Sequence, residues 1–488
     1  MVLKAIFYHQ TIIFGPKFIP PLLMLIVSIV VYLLLNLAVG VWASRRIKNT
    51  EDFVLAGRRL PLAMATMVTF ATWFGSETMM GAPAYFLEGG ILNVIEEPFG
   101  AALCLILVGV FFARTFYEWN IVTFCDFFLI RFGKQAEFLS AIMIIPSYFG
   151  WIAAQFLAMG VVGQVIFGLP LTTGLCVGAA LVTVYTLIGG MWSVSITDFA
   201  HNIILIVGLV VLLVILLSKT GGFDKLVAQQ PADFFRIVPK QHSFQNWAQY
   251  VAAWITVGLG SIPQQDVFQR IMASKNATTA VRSSILAGVL YLTIALIPLF
   301  IALIAKSLYP ELLQGDTKLI IPNMVLQHAP VWVQLLFFGA LISALLSTSS
   351  GAILAPATVL GENLIKPRYP NLTDAQLLRV IRASVLLVAA ASVWMGLARQ
   401  DIFELVGESS AFSLVSLFVP LTFGLYWKRA NNWGCLASMS LGLGVWLLCD
   451  FGLKTTFPPI LYGTLASLVG MVLGSFLYDR ITGLSPQN

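Results

Sequence analysis

Thirteen apolar runs of about 20 residues divide the sequence, each long enough to cross the hydrocarbon core of a bilayer as a helix. In lipid every backbone polar group must be satisfied internally, which leaves helices or closed barrels. Runs of this length select helices, so the expected fold is an all-α integral membrane protein with about thirteen transmembrane helices. The spans fall at 21–44, 62–86, 92–114, 138–166, 171–190, 193–217, 245–269, 283–308, 328–360, 376–398, 402–427, 431–452 and 458–479. Charged residues make up only 10% of the chain, against about 25% in soluble domains. The first run is long enough to span and is followed by no small-residue cleavage site, so it reads as a helix and not a signal peptide.

Charge placement sets the orientation. Alternate loops carry Arg45, Arg46, Lys48, Arg58 and Arg59, then Arg114, Arg131 and Lys134, then Arg270, Lys275 and Arg282. The same set continues with Lys366, Arg368, Arg379, Arg382, Lys428, Arg429 and Arg480, which makes eighteen of the 28 basic residues. The other ten, Lys4 and Lys17 among them, lie in the opposite loops and the N-terminus. The positive-inside rule then puts the N-terminus outside and the C-terminus in the cytoplasm, in a plasma or inner membrane. Spans two to six and seven to eleven form two sets of five. Five is odd, so the second set runs inverted relative to the first, as in many secondary transporters. The chain thus reads as one transporter domain: an extra N-terminal helix at 21–44, a first repeat at 62–217, an inverted second repeat at 245–427, and two C-terminal helices at 431–479.

Two spans are interrupted. The stretch Val68 to Pro83, VTFATWFGSETMMGAP, places Gly75, Ser76, Glu77 and Thr78 in the middle of an apolar run. Unwound backbone is tolerated at that depth only against protein or a water-filled cavity, and its freed carbonyls suit a small cation. The alternative is a glycine-kinked packing helix with Glu77 paired to a neighbour. The corresponding helix of the second set is interrupted at Gly258 to Asp266, GLGSIPQQD. Paired interruptions in the two halves are the best sequence pointer to a transport site.

Other residues fit that reading with different strength. Ser343, Ser347, Thr348, Ser349 and Ser350 crowd one helix, more hydroxyls than close packing asks for, and hard cations take oxygen ligands. Asp198 is an intramembrane carboxylate, functional by default unless it caps a helix end, with His201 as a neighbour on its face. Asp266 and Arg270, spaced i,i+4, read as a structural ion pair. Glu96, Glu97, Glu404 and Glu408 fall near span ends, where interfacial solvation suffices. Trp73 and Trp151 sit at central depth, where their faces could bind a quaternary ammonium or simply pack. Five scattered cysteines and four scattered histidines suggest neither a disulfide framework nor a metal cluster.

These residues resemble the sodium/solute symporter family over nearly the whole chain. The markers are Gly81-Ala82-Pro83, Tyr185 with Gly189-Gly190 and Thr197-Asp198, Gln265 with Gln269-Arg270, and Ser347-Thr348 with Glu362-Asn363-Leu364. The resemblance implies a LeuT-like core of two inverted five-helix repeats with flanking helices. It implies a Na⁺ site from the main-chain oxygens of Ala71 and Phe74, the carbonyl of Ala344, and the hydroxyls of Ser347 and Thr348. A second Na⁺ site, present in some members, would use Asp198 with Ser347 and Ser350, but Gly351 stands where such members offer another hydroxyl. The local wording is most similar to the high-affinity choline transporter group, notably Ala71 to Gly75, Phe132-Gly133-Lys134 and Gly260 to Arg270. Trp73 and Trp151 match two tryptophans of that group's choline cage. Gln264 replaces the third, and Gln155 and Glu77 replace apolar or glycine positions.

The expected function is sodium-coupled import of a small organic solute by alternating access, with Na⁺ as coupling ion. The best fit is a choline-like or other organic cation, bound among Trp73, Glu77, Trp151, Gln155, Gln264 and Gln265. The alternatives are a neutral or anionic solute (sugar, amino acid, carboxylate), or a transporter-like membrane sensor. The short stretch after the last span gives the sensor reading no signalling module. No nucleophile–base pair suggests an enzyme. The expected partners are the solute and the bilayer, not nucleic acid, with the monomer as the functional unit.

Overall fold

In the computed structural model residues 19–482 are described, with side chains at 23–478. Lys4, Lys17, the Arg480 side chain and the stretch relevant to a signal peptide lie outside them. Among the described residues ten helices are long and apolar enough to cross a membrane. One of these, Leu171–Thr220, is broken at Gly190, whose φ of 48° and ψ of −157° no helix contains. Tyr185 OH and Thr197 Oγ1 lie 2.6 Å apart across that break, where a straight helix would separate them by about 18 Å. A side chain at Gly190 would meet the Phe53 carbonyl at 2.7 Å, so the turn has room for glycine alone. With that helix counted as two spans and the two interrupted helices added, the number is thirteen.

In chain order α1 is Ile19–Ser44. Helix α2 runs Leu62–Trp73, breaks, and resumes over Glu77–Gly81 and Ala82–Gly89. Helix α3 is Ile91–Glu118 and α4 is Lys134–Phe167. Residues 171–189 form α5 and 191–220 form α6. The second repeat opens with α7, in two pieces, Phe244–Gly258 and Gln265–Ala273. It continues with α8 (Ala277–Leu308), α9 (Val331–Arg368), α10 (Asp374–Ala398) and α11 (Ile402–Tyr426). Helices α12 (Asn432–Gly452) and α13 (Pro459–Thr482) close the chain and pack on each other.

Hydrophobicity runs inside out relative to a soluble protein. Leu34, Val214, Trp394 and Leu465 face outward, while Gln155, Asp198, Ser347 and Thr348 are buried among the helices. Lipid makes the apolar exterior stable, and the interior polar groups then need a partner or a task. Helix starts follow ordinary chemistry: Asn276 caps α8 by accepting from Thr279 N, and Thr373 with Gln376 forms a capping box on α10. Around the centre, the first half of α2 packs against α8 and α9 and its second half against α8 and α11, while the first half of α7 packs against α3 and α11 and its second half against α8 and α9. Both breaks therefore lie inside protein, as backbone at membrane depth requires.

Candidate substrate and ion site

The first break is a tight reversal. Phe74, with φ −77° and ψ 79°, is the centre of an inverse γ-turn closed by Gly75 N–H donating to the Trp73 carbonyl at 2.9 Å. Gln155 of α4 fastens the next residues: its Oε1 accepts from Ser76 N at 3.0 Å and its Nε2 donates to Glu77 Oε2 at 2.8 Å. On the other side the turn meets α9, where the Thr348 hydroxyl donates to the Ala71 carbonyl at 2.9 Å and lies 3.4 Å from the Phe74 carbonyl. Ala344 lies one turn before Thr348 on the same face. Ser347 Oγ, next to Thr348, is buried with no hydrogen bond of ordinary geometry. Three of the residues expected to hold Na⁺, Ala71, Phe74 and Thr348, thus bring carbonyl and hydroxyl oxygens to one junction, a donor type that suits a hard monovalent cation.

Beside the junction lies a narrow, partly open cavity, whose roughly 290 Å³ of empty space includes its solvent-open mouth. Trp73 and Glu77 from α2, Glu97 from α3, and Trp151 from α4 line one side. Val257, Ser261 and Gln264 of the α7 break, with Val406, Ser409 and Ser410 of α11, line the other. Pro146 interrupts α4 just before this level, and the Trp151 N–H bonds to Ser409 Oγ at 2.9 Å. Ser261 Oγ is 3.0 Å from Ser410 Oγ, which ties the second break to α11.

Three expectations about the cavity need correction. Glu97 is not an interfacial residue: it is 5% exposed, and its Oε1 accepts from Thr78 Oγ1 at 2.9 Å and from Tyr291 OH. Non-helical backbone at Glu97 (φ −140°, ψ 112°), imposed in part by the following Pro98, turns it toward the α2 break. Gln265 is turned away from the cavity, and its Oε1 accepts from Phe124 N at 2.6 Å. Gln155 is fully buried behind Glu77 and positions that carboxylate without lining the cavity.

Asp198 is 0% exposed and sits inside α6, so it caps nothing; its carboxylate lies alongside the Ser347 hydroxyl without a hydrogen bond of ordinary geometry. His201 packs against Tyr32 with the rings tilted by 48° and their centroids 5.7 Å apart. Ser350 Oγ donates back to the Ser347 carbonyl at 3.0 Å. The Asp266–Arg270 ion pair does not form. Asp266 Oδ1 accepts instead from Tyr148 OH, and Arg270 Nε donates to Thr72 Oγ1 at 2.9 Å. Arg270 Nη1 has no partner, and Nη2 reaches so close to α9 that a side chain at Gly351 would meet it at 2.2 Å. Buried polar atoms without a well-formed hydrogen bond are rare in native proteins, and here Asp198, Ser347 and Arg270 supply several behind one junction.

The chain is 27% identical over 448 residues to high-affinity choline transporter 1 of Caenorhabditis elegans, covering 86% of this chain and 76% of that protein. It is 25% identical over 482 residues to the sodium/pantothenate symporter of Haemophilus influenzae, covering 92% and 96%. In three dimensions it is similar to a Na⁺-coupled sialic acid symporter in a substrate-bound outward-open state, with a TM-score of 0.81 and 20% identity over 95% of this chain and 98% of that one. The fold is therefore LeuT-like. The profile of the sodium:solute symporter family matches residues 53–442, and the chain belongs to that family.

Proposed function

We propose that this protein is a sodium-coupled symporter that imports a small organic cation by alternating access. The observation that carries the reading is the junction at which the Thr348 hydroxyl meets the Ala71 and Phe74 carbonyls, 2.9 and 3.4 Å away, beside the buried Ser347. Na⁺ would bind there through Ala71, Phe74, Ala344, Ser347 and Thr348, replacing the Thr348 bond and joining the α2 break to α9. That linkage gives the ion different contacts in the two states of the transporter, which is what a ligand needs in order to shift a conformational equilibrium. Substrate would occupy the cavity beside it, between the Trp73 and Trp151 faces, with Glu77 as counter-charge and Gln264 opposite. Inward opening would release both.

A second Na⁺ at Asp198, Ser347 and Ser350 has mixed support. Asp198 lies alongside the Ser347 hydroxyl without a hydrogen bond of ordinary geometry, yet Ser350 is bonded back to its own helix and Arg270 stands against Gly351. We place one Na⁺ at the first junction and assign Asp198 as counter-charge to Arg270. The N-terminus is taken as external, from the distribution of basic loops. A neutral or anionic solute is the second reading, favoured by the near-complete overlap with the Haemophilus influenzae sodium/pantothenate symporter. Uptake into proteoliposomes under an inward Na⁺ gradient tests both. Competition by amines is expected, and indifference to amines with competition by pantothenate or sugars would select the second.

A further inference from the structure

The cavity holds two carboxylates and no base. Glu77 comes from the α2 break and Glu97 from the unwound start of α3, and both line the same space. Among the described residues neither takes part in an ion pair. The buried Arg270 is engaged elsewhere, its Nε donating to Thr72 and its charge facing Asp266 and Asp198. Every partner that the structure gives the two carboxylates is neutral: Ser76 and Gln155 on Glu77, and Thr78 and Tyr291 on Glu97. Buried carboxylates without a cation are costly and mark functional positions. The indole N–H of Trp151, 4% exposed and on the cavity wall, lies within reach of the Glu77 carboxylate, one more neutral neighbour of that acid.

We propose that the substrate is an N–H-donating organic cation carrying two such ends, of the amine–guanidine or diamine class, and not a quaternary ammonium. The inference rests on the symport reading above and narrows its substrate. A quaternary ammonium satisfies aromatic faces but offers no donor to a carboxylate. A guanidinium or ammonium end donates charge-assisted hydrogen bonds, bidentately in the guanidinium case, and still stacks on tryptophan. Two carboxylates on separate helices suit two separated donors better than one buried charge. Ser261, Gln264 and Ser409 on the opposite wall add neutral hydrogen-bonding groups, which an N–H-rich ligand can use and a methylated one cannot.

The test is thermal stabilisation of the full-length purified protein in Na⁺ buffer by agmatine, putrescine, choline and proline. Agmatine and putrescine are expected to act at concentrations at least tenfold below choline, with proline inert. Glu97→Gln should remove that tenfold advantage while changing the choline response less than threefold, and Glu97→Asp should retain part of it. The Na⁺-induced shift in each variant checks that it is folded. Choline acting at equal or lower concentration than agmatine overturns the inference, as does an equal loss for both ligands in Glu97→Gln. If Na⁺ alone stabilises the wild type and none of the cations adds to it, the substrate inference fails and the sodium reading stands. If Na⁺ gives no stabilisation over K⁺, the symport reading fails.

Discussion

In α2 the chain reverses over a single residue, Phe74, and turns carbonyls toward the hydroxyls of α9. In α7 it unwinds over several residues, Leu259 to Gln264, and turns side chains toward the cavity while its backbone presses on α11. The same interruption in two inverted halves therefore does two jobs. The first break gives main-chain oxygens to the proposed ion site and an acid to the proposed substrate site. The second gives neutral groups, Ser261 and Gln264, and a rigid contact. A two-fold repeat supplies the positions of the breaks, and the side chains set their chemistry.

Removing oxygen from the first break should have the largest effect. Ser347→Ala combined with Thr348→Ala deletes two hydroxyls from the proposed ion site. A hydrogen bond or ligand contact to a charged group contributes about 1.5–3 kcal/mol, so the Na⁺ concentration for half-maximal uptake should rise by more than tenfold. An unchanged value would place the ion elsewhere. Next is Gly260→Ala, whose added carbon would lie 2.2 Å from the Thr256 carbonyl and 2.3 Å from the Ser410 carbonyl. Overpacking against backbone costs about 1–3 kcal/mol or more, and the melting temperature in detergent should fall clearly. Gly75→Ala should lower it less, because its new neighbour at 2.6 Å is the Gln155 amide, a side-chain end that can shift. If Gly75→Ala proves the more damaging, the rigid element is the first break.

A third test addresses charge at the first break. Glu77→Gln keeps the shape of the side chain and removes its charge, so amine binding should weaken by roughly tenfold, about 1.4 kcal/mol, while any binding of neutral solutes changes less. Equal loss for both would make Glu77 a structural group. The smallest effect is expected for Ser261→Ala, which breaks the hydroxyl contact with Ser410. A neutral hydrogen bond contributes about 1 kcal/mol, so uptake should retain its Na⁺ dependence and lose a few-fold in substrate half-saturation. A changed Na⁺ dependence in Ser261→Ala would mean that the second break also senses the ion.

Span positions were legible because a bilayer imposes length directly on sequence, and the α2 break was legible because Gly75, Ser76 and Glu77 interrupt an apolar run. Glu97 was not. Its apolar run begins at 92, which suggests a membrane edge, and only the unwound backbone before Pro98 carries it inward. Gln264 and Gln265 are adjacent at a helix start, where one residue of phase rotates a side chain by about 100°, and nothing local fixes that phase. The i,i+4 spacing of Asp266 and Arg270 suggested a pair, but Tyr148 and Thr72 lie better placed to take each one. Long-range competition of that kind leaves no local mark.

Gln155 holds with one amide the turn of α2 by its oxygen and the Glu77 carboxylate by its nitrogen. Rocking α4 against the unwound segment must stretch both contacts at once, so the amide acts as a latch whose strength depends on the charge it grips. Neutralising that charge with an arriving cation would slacken the latch at the moment the cargo is seated, and the tilt that opens the inner gate would then meet less resistance.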